Sequence, residues 1–203
     1  MNDPRGRLLP VVVLAALLAV PGCTPDPPST ADSPTTITEP SLAGGVSVVA
    51  KAKIAPDEVS ISYAMTNSSP HPVWVVDSAY ASITGDSLTP NGVVAALAFF
   101  PVRSDVTYYQ PPYEPVVSVA PGRRVVGLIH TKRPFVPFSD TEGGRAVTLP
   151  DAPTSIRFCM GHVAATELPP DQPGTLPDGK PKLNRALAFP RQQLSCSEAL
   201  PLT

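Results

Sequence analysis

The stretch that decides the fold is VSVVAKAKIAPDEVSISYAMT, residues 46–66. In its first half Val46, Val48, Ala50, Ala52 and Ile54 fall on one side, and Ser47, Lys51 and Lys53 fall on the other. In its second half Val59, Ile61, Tyr63 and Met65 alternate with Ser60, Ser62, Ala64 and Thr66. Successive side chains of a strand point to opposite faces, so period-two alternation marks a sheet with one buried and one solvated face. Between the halves, Ala55-Pro56-Asp57 is turn chemistry. The two runs therefore read as an antiparallel hairpin.

The same pattern returns further along the chain. Residues 73–79 form a strand run with Trp74 and Val76 on one face, and a large residue such as Trp74 is expected to anchor a core. Runs at 116–119 and 124–132 are joined by Ala120-Pro121-Gly122, where Pro then Gly suits the centre of a type II turn. A last clear run covers residues 155–165. VVAALAFF, residues 93–100, fits a doubly buried strand or two helical turns, and strand is preferred. With 28 prolines and 13 glycines in 203 residues, a helical bundle or coiled coil is excluded. Hydrophobic residues at 42% against 16% charged supply one core. The expected fold is all-β, an antiparallel sandwich over residues 46–203. Thr66-Asn67-Ser68, the restart Pro72-Val73-Trp74-Val75 and the later Val119-Ala120-Pro121-Gly122 resemble the immunoglobulin-like sandwich domains of bacterial surface lipoproteins, over roughly residues 46–132. That likeness implies a fold and assigns no catalytic residue.

Working back to the N-terminus, Arg5 and Arg7 precede an apolar run over residues 8–20. As a helix this run is roughly 20 Å long, whereas a bilayer core of about 30 Å needs some 20 residues, so it reads as a secretory signal and not a membrane span. Val20-Pro21-Gly22-Cys23 follows, and it resembles the lipobox of bacterial lipoproteins. The resemblance implies a signal peptide at 1–22, cut before Cys23, with diacylglycerol on the Cys23 thiol. Residues 23–45, rich in Pro, Ser and Thr, are expected to be a disordered tether carrying the lipid anchor.

Setting Cys23 aside leaves Cys159 and Cys196, an even pair in a chain read as exported, so a disulfide is expected. Cys159 shares a strand face with Arg157, opposite Ile156, Phe158 and Met160. The bridge should therefore pin the C-terminal segment to the sheet rather than sew two core layers together. The alternative at this place is copper held by Cys159, Met160 and His162, which are suitable ligand types; neighbours on a strand cannot converge on one ion without a bend. His71 lies in a proline-flanked loop and reads as an ordinary histidine, and Asp77 with His130 and one of many serines allows a hydrolase triad only on paper. Hydrolase elbow, zinc-protease and phosphate-loop motifs do not occur in the sequence.

Two further stretches carry binding expectations. Tyr108, Tyr109 and Tyr113 gather around a proline pair in TYYQPPYEP, residues 107–115, as an aromatic surface for a partner. Residues 167–190 are expected to be a long polar loop that faces a partner and stays out of the core. A net charge of −2 gives no overall electrostatic footprint for nucleic acid. Together these features predict a lipid-anchored, extracytoplasmic binding or structural module of the bacterial cell envelope, with a protein or cell-wall partner. No enzyme activity, cofactor or metal is expected; an envelope hydrolase and a copper protein are the alternatives.

Overall fold

The computed structural model describes residues 45–100, 113–137, 141–142, 145–146 and 148–203. The N-terminal signal, Cys23, the tether up to residue 44, and Tyr108 and Tyr109 lie outside the described residues.

The hairpin is present as read. β1 (Val46–Ile54) and β2 (Glu58–Asn67) are antiparallel, with Val46 opposite Asn67 and Ile54 opposite Val59. The chain continues through β3 (Val73–Val76), β4 (Ser82–Gly85), β5 (Gly92–Leu97), β6 (Tyr113–Val119) and β7 (Arg124–Lys132). Two short pairs of residues, β8 (Thr141–Glu142) and β9 (Arg145–Ala146), form a ladder of their own. Then come β10 (Ser155–Ala164), β11 (Gly174–Thr175), β12 (Pro181–Asn184), a single helical turn α1 (Arg185–Ala188), β13 (Gln193–Cys196) and β14 (Leu200–Pro201).

Two sheets pack as an all-β sandwich. The smaller has the order β1-β2-β7; the larger runs β11-β12-β6-β3-β10-β5-β4, with β13 and β14 also paired to β10. All described residues belong to a single compact unit. The main core between the sheets contains Val46, Val48, Val59, Ile61, Met65 and Ile129 from the smaller sheet and Val73, Val75, Leu97, Ile156, Phe158 and Met160 from the larger. Residues 120–122 turn as expected: Gly122 has φ of +70° and Arg123 N–H donates to the Ala120 carbonyl. That turn carries the chain from the larger sheet into the smaller. Asn67, fully buried, holds the corner, its side-chain amide donating to the Val119 and His71 carbonyls.

β10 organises the larger sheet. His162 is paired with both Val75 and Gln193, and Cys159 with both Ala96 and Cys196. One edge of β10 is therefore shared by β5 and then β3, and the other by β14 and then β13. The β5–β10 pairing is parallel and every other described pairing is antiparallel, so the sandwich is mostly antiparallel. A parallel neighbour with both faces covered explains the unbroken apolar run of residues 93–97, which is strand.

Trp74 and Val76 share a face as read and lie in a second core cluster with Phe99, Val116, Val163, Leu183 and Ala188, while Val73 and Val75 face the main core. One expectation needs correction. The lid of that cluster comes from residues 167–190, which are not simply a solvated loop. β12 pairs with β6, Leu183 is 1% exposed, and α1 buries Ala188. Asn184 caps α1 by accepting from the Ala186 N–H. Few apolar side chains suffice here because β6 already supplies the ladder.

Candidate functional site

Side-chain parity along β10 divides the chemistry of the domain. Ile156, Phe158, Met160 and His162 point inward; Arg157, Cys159, Gly161 and Val163 point to the outer face of the larger sheet. On that outer face Cys159 and Cys196 are bonded, S–S 2.06 Å, directly opposite each other in the β10–β13 ladder. The disulfide thus pins the C-terminal strand to the sheet, the arrangement expected from the sequence, and places this region of the chain chemically in an oxidising compartment.

Around the disulfide the surface is concave. Ala96, Ala98 and Cys159 form a floor of small, buried residues, and a cavity of about 350 Å³ lies over them. Beside it, Gly161 leaves room for the Gln192 side chain, which a Cβ there would overlap. Gln192 in turn accepts from the Phe99 N–H at 3.0 Å and donates back to the Phe99 carbonyl at 2.5 Å, one side chain acting as a short strand partner. Leu88, Leu194 and Phe189 rim the cavity and are 76%, 51% and 39% exposed. At one end Arg157 donates to Asp86 (3.1 Å), the Ser197 carbonyl (2.9 Å) and Thr89 (3.1 Å). Burial would push the Asp86 carboxyl up, but hydrogen bonds from Leu88 N–H, Arg157 and Thr89, with the guanidinium charge, outweigh it and hold its pKa down.

A second concavity lies on the outer face of the smaller sheet. The register places Val49 beside Ala64 and Val126, and Lys51 beside Ser62 and Leu128. Because the central strand carries only small residues at these positions, the flanking strands stand above it as walls, leaving a trough of about 520 Å³.

The histidines do not assemble a catalytic set. His162 is buried, its Nε2 3.1 Å from Ser195 Oγ, and Ser195 Oγ donates to the Val46 carbonyl. With its proton committed to Val46, Ser195 accepts from Nε2–H. Burial lowers the His162 pKa to about 4, so the ring is neutral near pH 7. His130 is not with Asp77. Its Nδ1 is 2.8 Å from Glu58, while Ser60 Oγ donates to the same carboxylate. A hydrolase serine gives its proton to the histidine, and here the carboxylate takes it. The hydrogen bond from His130, then that from Ser60, lower the Glu58 pKa. Asp77 lies 4.0 Å from Lys180 instead.

The copper alternative also fails on geometry. Cys159 has no thiolate to offer, and Met160 points into the main core from the opposite face. Among the described residues, no three His, Cys, Asp or Glu side chains gather as a metal site. Tyr113, the described member of the tyrosine group, lies under the Lys182 ammonium at 4.1 Å and so is engaged within the domain. Neither concavity nor the Arg157–Asp86 pair is foreseen from sequence; the small residues at Ala96 and Ala98 are the signal for the first, and Ser62 and Ala64 for the second. The chain matches no family model, no curated protein and no solved structure.

Proposed function

We propose that this chain is a lipid-anchored, extracytoplasmic binding or structural module of the bacterial cell envelope, with no catalytic role. The observation that carries the reading is the pairing of a lipobox-like Val20-Pro21-Gly22-Cys23 with a disulfide built into the β10–β13 ladder. The first supplies an anchor, since acylation of Cys23 by two or three chains holds a protein stably on a membrane. The second suits a domain that works outside the reducing cytoplasm. The binding half of the reading is supported by the cavity over Ala96, Ala98 and Cys159. Large apolar side chains stand in solvent there around a floor held by a disulfide and by Gln192, as in a surface that receives a protein or cell-wall partner.

Replacing Cys23 with Ser tests the anchor. The expected result is release from the membrane fraction or accumulation of the uncleaved precursor. Unchanged detergent partitioning of the variant overturns it. A photo-crosslinking amino acid at position 194, on the rim, should yield a defined adduct in intact cells. Adducts no different from those obtained at an exposed position away from the rim, such as Asp178, would remove the assignment of partner binding to this surface.

A further inference from the structure

We infer that the outer face of the β1-β2-β7 sheet is a docking surface for an anionic lipid bilayer, so that the domain lies against the membrane by this face. The inference rests on the lipid-anchor reading for proximity and on the sheet for chemistry.

The whole chain has a formal charge of −2, yet this face is cationic. Alternation along the strands points Lys51 and Lys53 of β1 and Arg124 and Lys132 of β7 outward, all of them exposed. The carboxylate on the same face is Glu58, and it is occupied by His130 and Ser60; Asp57 lies in the adjoining turn. Between the cations, Val126 and Leu128 project from β7 and are 65% and 54% exposed. Their cross-strand neighbours Ala64 and Ser62 are small, which opens the trough that Val49 and Lys51 close from the other side. Apolar side chains inside a ring of Lys and Arg match a bilayer interface: the ammonium and guanidinium groups meet lipid phosphates, and the apolar groups enter the headgroup layer.

Chain length agrees with this placement. Residues 24–45 separate Cys23 from Val46, a length for which a random-coil chain spans about 25 Å, and they lead directly into β1, a strand of this same sheet. An anchor that close keeps the face at high effective concentration near lipid, so each contact with the surface can be weak.

The test uses the chain from residue 23 onward with Cys23→Ser, which contains the complete described domain and no lipid. Sedimentation with vesicles of phosphatidylcholine containing 30 mol% phosphatidylglycerol, a composition on the order of that of anionic cell membranes, is compared with phosphatidylcholine alone. Preferential binding to the anionic vesicles, weakened by salt, is expected. Lys51→Glu/Lys53→Glu/Arg124→Glu should reduce it at least about tenfold, and Val126→Ser/Leu128→Ser should reduce it separately while circular dichroism stays unchanged. An environment-sensitive dye at Ser62→Cys should shift on these vesicles, and one at Leu194→Cys should not. Equal binding to both vesicle types, indifference to the charge reversals, or an acidic protein captured on this face without vesicle binding would each overturn the inference. Because no acyl chain is present, its failure is distinct from failure of the anchor: membrane release by Cys23→Ser can hold while vesicle binding does not.

Discussion

Tyr63 lies against Phe158 with ring centroids 4.5 Å apart and planes inclined by 23°, a stack that joins the small sheet to the centre of the large one. To reach Phe158 the Tyr63 side chain passes over Gly127, its register partner on β7. A Cβ on Gly127 would overlap the Tyr63 hydroxyl and ring. Gly127→Ala should therefore destabilise the domain by about 1–3 kcal/mol, the cost of overpacking a closed core. Chemical denaturation measures it, and Gly127→Ala/Tyr63→Leu should recover part of the loss by clearing the overlap.

Acid should weaken the fold through His162. Its folded pKa, about 4, is below the ordinary 6.5, so the unfolded chain binds the extra proton first. The neutral-His contribution is complete above pH 6.5 and declines as pH falls toward 4. After allowance for partial solvent screening, the loss is roughly 2 kcal/mol. Urea midpoints at pH 7 and pH 4.5 should differ for the native chain, and His162→Gln should flatten the part of that difference due to this ring.

The disulfide closes a separation of 37 residues. In the chain-entropy view this stabilises by about 4 kcal/mol. Protein purified without reductant should show no reactive thiol from Cys159 or Cys196 in denaturant. The double variant Cys159→Ser/Cys196→Ser should lose several degrees or more of thermal midpoint, with β13 exchanging its amide protons fastest.

Leu183 tests the segment that covers the second cluster. It is almost fully buried among Val76, Val116 and Val163. Leu183→Ala should cost about 2–4 kcal/mol. A cost near zero would mean that residues 167–190 contribute little packing after all.

How much of this was readable depends on how local the cause is. The β1–β2 hairpin and the Pro121-Gly122 turn are legible because alternation and turn stereochemistry act over a few residues. The orientation of Cys159 follows from parity on one strand. Which parity of β3 meets the main core is not local: Trp74 looks like the anchor until β12 and α1 supply a second cluster for it. Likewise the polar composition of residues 167–190 conceals a strand, since β12 needs a ladder from β6 and a single well-placed leucine. The two concavities depend on small residues brought side by side from different strands, and His162 with Ser195 on a contact across 33 residues.

Under the anchor proposed at Cys23, mechanical load on the domain enters at Val46. A pull from the N-terminal side arrives at β1, and the Val46 carbonyl is gripped by Ser195 on the C-terminal strand. That strand cannot peel away alone, because Cys196, the next residue, is covalently tied to β10. Force applied at the first strand is thus passed to the central strand of the larger sheet, and reduction of one bond would break that path.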